Sequence, residues 1–401
     1  MDKKYTLVSL FSGAGGMDLG FKNAGFDILW ANDFFLEATE TYKKNIGKHI
    51  VYGDITKIDS SSIPNDIDII IGGFPCQGFS IANKNRNMKD ERNFLYKELL
   101  RVIKDKKPKF FVAENVKGLL SMEDGKVIKM IIKDFENLGY KVDYKLLNAA
   151  KFGIPQARER VIIIGNRIGI DNPFPKETHY IDKEIENLKK CSTVEEIIGE
   201  LKDIPLSDEV ILLKDGKEIY NHVAYTNVKD TYIGRTYDIN QEELCDYLRK
   251  YRTLRKTSNK KIAEGINEKQ TKVDHWFRKD NKSGSIPSKE DYLKLKKFLD
   301  LDDTYDKELL TYEEKDITFE QSLRVTNWDR PSDTITATCP EIHINKQRRL
   351  SVREVARLQT FPDDFVFVGN LDKMYRQVGN AVPVNLAYFI ACEIKKKLGG
   401  E

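Results

Sequence analysis

Ile67-Asp68-Ile69-Ile70-Ile71-Gly72-Gly73-Phe74-Pro75-Cys76-Gln77-Gly78-Phe79-Ser80 is the stretch on which the fold turns. A run of isoleucines broken only by Asp68 reads as a buried strand. Gly72-Gly73 ends it in a turn that permits close backbone approach, and Pro75 fixes the dihedral just ahead of Cys76. A thiol held in this way is a good nucleophile when part of it is thiolate. A strand-end cysteine is more often buried and inert, so the reading of Cys76 depends on what surrounds it in the chain.

Working outward, strands and helices alternate through the first third. Thr6 to Leu10, Ile28 to Ala31, Ile67 to Ile71, Phe110 to Glu114 and Val161 to Gly165 read as strands. Met17 to Ala24, Leu36 to Asn45, Phe94 to Ile103 and Gly125 to Leu138 read as the helices between them. This alternation predicts an α/β fold with a mostly parallel sheet covered by helices on both faces. From about Asn166 to Ser322 prolines and Lys/Glu-rich helical stretches replace the strands. Regular structure resumes at Val352 to Leu358, and Leu386 to Lys397 closes the chain as an amphipathic helix with lysines suited to its C-terminus. The reading divides the chain into a discontinuous catalytic and cofactor-binding domain, 1–170 plus 375–401, and a smaller target-recognition domain, 171–374.

Bulk composition sets limits rather than a function. The chain has 401 residues, 40% hydrophobic and 32% charged, with a mean hydropathy of −0.51. No apolar run is long enough to span a membrane, and no signal-peptide pattern follows the first lysines. Five scattered cysteines without a Cys-x-x-Cys pair argue against a disulfide framework or zinc site and for a reducing cytoplasm; no metal is expected. Net charge is only +3. Between Tyr251 and Lys282, however, ten Lys/Arg face four Asp/Glu, a local excess of basic charge.

The first strand feeds Phe11-Ser12-Gly13-Ala14-Gly15-Gly16-Met17-Asp18-Leu19-Gly20. Strand, glycine-rich turn and helix bring backbone N–H groups close to an adenosine-containing ligand. Asp33, just past the second strand, is placed to accept from ribose hydroxyls, with Phe34 beside it to stack on a purine. Asp54, where a third strand should end, is placed to accept from an adenine amino group. Each acid taken singly is more often a solvated loop charge; their series after successive strands favours an adenosine pocket. No Lys-Ser/Thr follows the glycines, so a cofactor without phosphates fits better.

These stretches resemble the DNA (cytosine-5)-methyltransferases of bacterial and phage type. The resemblance rests on six motifs in the family's order. They are Phe11 to Gly16, Gly72 to Gln77, Ala113-Glu114-Asn115-Val116, Gln156-Ala157-Arg158-Glu159-Arg160, Arg353 to Gln359, and Gln377 to Pro383. It implies that Cys76 adds to C6 of cytosine and that S-adenosylmethionine supplies the methyl group for C5. Glu114 would hydrogen-bond N3 and the exocyclic amine. Arg160 would lie near the base carbonyl, and Arg158 near Cys76 and the DNA phosphates. Cofactor contacts are implied for Phe11, Gly13, Gly15, Asp33, Phe34, Asp54, Ile55, Pro75, Leu95, Asn380 and Val382. Gln77 and Ser80 sit on the family's DNA-closing loop, either one placed to fill the space of an everted base, and Thr334-Ile335 matches a pair that contacts DNA beside that base. For Glu114, Arg158 and Arg160 the plainer alternative is a salt-bridged sheet edge.

Target reading is assigned to the middle of the chain. Within about 241–303, Ile262, Ile266, Val273 and Trp276 fall at helix-turn-helix core positions, with Ala263 at the helix crossing and Asn267 at the turn. Glu268 departs from that pattern. The second helix, Lys269 to Arg278, would present Lys269, Gln270, Thr271, Asp274 and His275, with Lys272, to a major groove. The alternative is an amphipathic helical insert with an incidental basic face. The whole reading is of a cytoplasmic, monomeric enzyme acting on double-stranded DNA, with a restriction endonuclease of the same specificity as a possible companion. Its rivals are a tRNA cytosine-5 methyltransferase and a helix-turn-helix DNA-binding protein without catalysis. An exocyclic-amine methyltransferase would need an Asp/Asn-Pro-Pro-Tyr/Phe tetrad where Gly73 to Cys76 stand.

Overall fold

The computed structural model describes residues 4–75, 95–226, 241–278, 286–310 and 324–400. Cys76, Gln77 and Ser80 therefore lie outside the described residues. Contact clustering divides the chain into two units. One comprises residues 1–225, 326–339 and 350–401, and the other 226–325 and 340–349.

The larger unit is built on a seven-stranded sheet. Its strands are β1 (Thr6–Leu10), β2 (Asp27–Asp33), β3 (Ile50–Tyr52), β4 (Ile69–Gly72), β5 (Phe110–Val116), β6 (Lys141–Asn148) and β7 (Glu159–Asn166), in the order β3-β2-β1-β4-β5-β7-β6. The first five run parallel; β7 is antiparallel to both β5 and β6. Side chains on a strand alternate between faces, and that period builds two cores. Leu7, Ile69, Ile71, Val112 and Ile164 enter one, while Val8, Ile70, Phe111 and Ile163 enter the other. Helices α1 (Gly16–Asn23) and α2 (Leu36–Asn45) cover the first face, and α3 (Leu95–Lys106) and α4 (Lys126–Glu136) the second. The mostly parallel, doubly covered sheet is as expected. Strand β6 is an addition: its mostly exposed Lys-Val-Asp-Tyr-Lys-Leu-Leu-Asn gives little apolar signal, because an edge strand has no second neighbour to bury it.

The unit is closed by chain from beyond residue 166. Helix α5 (Val194–Ile198) packs near α11 (Val352–Leu358), which is followed by α12 (Leu371–Asn380) and α13 (Val384–Gly399). The expected recognition domain, 171–374, thus differs from the observed division: residues 171–225 and 350–374 belong with the sheet. Helix α2 supplies the tie, with Asn45 Nδ2 donating to the Val366 carbonyl (2.9 Å) and Val368 N–H to Thr41 Oγ1 (2.8 Å), and the reassigned stretches are joined to one another by Arg353. Its guanidinium is fully buried and donates to the carbonyls of Tyr220 (2.8 Å), Pro362 (2.7 Å) and Phe365 (2.5 Å). Burying that charge is tolerable only with all three acceptors in place, so the three segments are held together. The last helix lies on the first. A Cβ at Gly20 would stand 2.5 Å from the Val384 carbonyl oxygen and 2.5 Å from Ala387 Cβ.

The smaller unit is helical, with α6 (Gln241–Leu254), α7 (Asn259–Gly265), α8 (Gln270–Trp276), α9 (Lys289–Leu299) and α10 (Asp306–Leu310). Ile262, Ala263, Ile266, Val273 and Trp276 are buried in one cluster with Tyr292 and Leu295. Asn267 adopts the left-handed conformation at φ 54° between α7 and α8. Among the described residues no helix is long and apolar enough to cross a membrane.

The Gly20 contact fixes one outcome. Gly20→Val should destabilise the protein by about 1–3 kcal/mol through overpacking, read as a lower urea midpoint with an unchanged slope.

Candidate active site

Parallel pairing sends the C-terminal ends of β1, β2, β4 and β5 to one edge of the sheet, where open α/β sheets hold ligands. A cavity of about 400 Å³ lies there, within the range of ligand clefts at roughly 300–1,000 Å³. Phe11, Gly13, Asp33, Phe34, Pro75, Glu114, Arg158, Arg160, Asn380 and Val382, all expected at the site, line it together.

The β1–α1 turn is shaped by backbone strain. Phe11 (φ 55°) and Gly13 (φ 55°) both take left-handed conformations, which for the phenylalanine costs on the order of 1 kcal/mol or more. The turn is held by Asp33. Its Oδ2 accepts the Gly13 N–H and its Oδ1 the Phe35 N–H, each at 2.8 Å. Burial pushes the Asp33 carboxyl up, against these two hydrogen bonds and the charge of Arg376. Phe34 stands 60% exposed at the cavity wall. Gly15, also expected at the cofactor, is not among the lining residues. At φ 92° it caps α1, and a Cβ there would meet Ile46 Cδ1 at 2.2 Å, so packing is what requires glycine.

Beneath the turn is a buried polar chain that sequence reading missed. Ser12 Oγ lies 2.9 Å from Ser9 Oγ, Ser9 Oγ donates to Asp18 (3.0 Å), and the Tyr42 hydroxyl donates to Asp18 (2.9 Å). His49 Nε2 lies 3.1 Å from the same hydroxyl. Burial pushes the Asp18 carboxyl up to about 7, the hydrogen bonds from Tyr42 and Ser9 opposing it. Asp18 falls on the inner face of α1, a polar residue at a core position, and that was the available signal.

At the other end, the register Gly72↔Ala113 sets Gly73 beside Glu114, whose Oε2 would lie 3.0 Å from a Cβ there. Asn115 Nδ2 donates to the Phe74 carbonyl at 3.0 Å, pinning the chain as it runs into Pro75. Arg160 Nε is 2.8 Å from Glu114 Oε1, an ion pair whose N–H is not aligned on the oxygen. Burial draws the Arg160 guanidinium down, and Glu114 opposes it. The salt bridge of the plainer alternative is therefore present between Arg160 and Glu114, and it sits in the cavity wall.

Arg158 differs from expectation. It is 1% exposed and donates to the carbonyls of Ile335 (2.8 Å) and Gly379 (2.9 Å). A guanidinium committed to two buried carbonyls braces the cavity wall and does not reach solvent phosphates. Ile335, expected beside DNA, is fully buried and accepts from Arg158, while Thr334 donates to the Ala157 carbonyl at 3.1 Å. Asp54, Ile55 and Leu95 are not among the lining residues. Asp54 caps a short turn by accepting from Thr56, Ile55 is buried in the second core, and Leu95 packs against that core. No cluster of metal-binding side chains occurs among the described residues.

In the helical unit, Lys269, Gln270 and Thr271 are exposed at the start of α8. Lys272 is committed internally, 2.9 Å from the buried Asp291 and 5.6 Å from the Trp276 ring centroid.

The family profile described as C-5 cytosine-specific DNA methylase matches residues 5–396. The chain is 37% identical over 388 residues to the Type II methyltransferase M.NgoFVII of Neisseria gonorrhoeae, covering 95% of this chain and 83% of that protein. It is 34% identical over 423 residues to the Type II methyltransferase M.FnuDI of Fusobacterium nucleatum, covering 98% and 94%. In fold it is similar to a DNA modification methyltransferase encoded within an E. coli prophage, at TM-score 0.61 and 23% identity, covering 99% and 100% of the two chains.

Asp18 yields a pH prediction. Its folded-state value lies above the ordinary 3.8, so the folded protein holds this proton where the unfolded chain has lost it. Stability contributed by Asp18 is thus lost as pH rises from about 4 to about 7. Asp18→Asn should flatten the fall in Tm across that window. Superimposable Tm–pH curves for the variant and its parent would show that Asp18 ionises ordinarily.

Proposed function

This chain belongs to the C-5 cytosine-specific DNA methylase family, and from that premise we propose how its cavity methylates a cytosine turned out of duplex DNA. It is a DNA (cytosine-5)-methyltransferase of restriction–modification type. The observation that carries the proposal is the joining, in one cavity, of the Asp33–Phe34 end and the Pro75–Glu114–Arg160 end.

The residues fit S-adenosylmethionine. A glycine turn, a carboxylate at the end of β2 and an exposed aromatic ring suit an adenosine, and the acids Asp33 and Glu114 suit a sulfonium cation. When bound, that cofactor supplies an electrophilic methyl group. Cys76, next in the chain after the lining Pro75, adds its sulfur to C6 of the base. This breaks the ring's aromaticity and makes C5 nucleophilic. Glu114 accepts from the exocyclic amine and, carrying a proton, donates to N3, stabilising charge on the ring as the C6 bond forms. Once C5 carries the methyl group, its proton passes to water or hydroxide, the C–H electron pair restores the C5=C6 double bond, and the C6–S bond breaks to release the Cys76 thiolate.

A base within a duplex is out of reach, so the target is everted at a cost of a few kcal/mol. The resemblance assigns the filling of the vacated space to Gln77 or Ser80, which follow Cys76 in the sequence. Exposed Lys269, Gln270 and Thr271 at the start of α8 read the target in the major groove. Lys272, held by Asp291, orients α8 instead. The likeness to Type II methyltransferases supports duplex DNA as the substrate. The product methyl marks protect that DNA against an endonuclease of the same specificity.

Three outcomes are expected. Cys76→Ser should abolish methyl transfer while leaving DNA retention largely intact, and duplex carrying 5-fluorocytosine should become covalently trapped on the parent protein. Glu114→Gln should lower kcat by about 10²–10³ with little change in DNA affinity. Lys269→Glu combined with Thr271→Ala should weaken binding to the methylated site more than binding to unrelated duplex. Equal losses on both would remove α8 from sequence reading.

A further inference from the structure

We propose that Arg376 is the anion-binding residue of the cavity and holds the carboxylate of the cofactor's methionyl group. The inference rests on the reading that this cavity takes S-adenosylmethionine.

Three arginines line the cavity, and their partners differ. Arg158 is committed to the carbonyls of Ile335 and Gly379, and Arg160 is paired with Glu114. Arg376 has neither a hydrogen bond nor an ion pair among the described residues. Its guanidinium carbon instead stands 4.6 Å from the centroid of the Phe35 ring. A guanidinium held over a ring face by a cation–π contact keeps its N–H groups available to a carboxylate. Nearby Lys373 also approaches Phe35, at 5.0 Å, but it pairs with Glu37 and does not line the cavity.

Position along the wall agrees. Arg376 and Asn380 are four residues apart on α12 and share a face, and both line the cavity. Asp33 is close enough to feel the Arg376 charge, yet both its oxygens already accept backbone N–H groups. With the adenosine assigned to Asp33 and Phe34 and the reacting end to Pro75 and Glu114, the wall formed by α12 is left for the amino-acid tail. The tail's carboxylate needs a cation, and Arg376 is the lining arginine not already committed to a protein acceptor.

The test compares two probes by calorimetry. S-adenosylhomocysteine carries the amino-acid tail, and 5′-methylthioadenosine has the same nucleoside and thioether without it. Arg376→Ala should weaken S-adenosylhomocysteine by about ten- to a hundredfold, the range of a hydrogen bond to a charged group. It should leave 5′-methylthioadenosine within about twofold, and Arg376→Lys should fall between parent and alanine variant. Asp33→Asn should weaken both probes. Equal losses on both probes in Arg376→Ala would overturn the proposal, making Arg376 a prop for Phe35 and Asp33. Unchanged binding of both, or a loss confined to DNA affinity, would overturn it as well. Failure of the parent protein to bind either probe would instead remove the cofactor reading beneath it.

Discussion

A guanidinium sealed inside the protein holds the cavity together. Arg158 donates to Ile335 on one side and Gly379 on the other, joining the chain just ahead of β7 to two segments about 180 and 220 residues further on. A buried charge without acceptors would cost several kcal/mol, so these carbonyls are held where the guanidinium needs them. Its neighbour Gln156 continues the brace, accepting the Ile335 N–H and donating toward Gln359. Gly379 lets the segments close: a Cβ there would stand 2.2 Å from the Thr336 carbonyl oxygen. The cavity wall formed by Gln377 to Val382 is therefore set by polar satisfaction in the core.

The cavity divides its charges by burial. Asp18, beneath the glycine turn, is pushed up to about 7 by desolvation. Asp33 and Glu114 occupy opposite ends, the first held by backbone N–H groups and the second by Arg160. Asp33 also holds the glycine turn in place, because its two oxygens span from Gly13 to Phe35. The strain at Phe11 is maintained by the same clamp.

The helical unit shows why composition is a poor guide to a binding face. The basic excess around α7 and α8 includes Lys272, yet that ammonium pairs with the buried Asp291 and rests over Trp276. Arg252 is likewise placed over the Phe277 ring and donates to Asn259. What remains outward at the start of α8 is Lys269, Gln270 and Thr271. A count of charges sees all of these residues alike; packing separates them.

The sequence by itself determined the sheet, its glycine turn and the end of β4, because local periodicity and Gly/Pro chemistry act over a few residues. It also put Asp33 at the end of one strand, while Glu114 and Arg160 were singled out by resemblance; all three line the cavity. Periodicity was silent on β6, on the Ser9–Asp18–Tyr42 chain and on the partners of Arg353, which join residues far apart in sequence. Whether an arginine is a brace, a partner or a free cation depends on which carbonyls and carboxylates come within about 3 Å of it. Only the tertiary structure decides that, and it turned the similar-looking Arg158, Arg160 and Arg376 into three different groups.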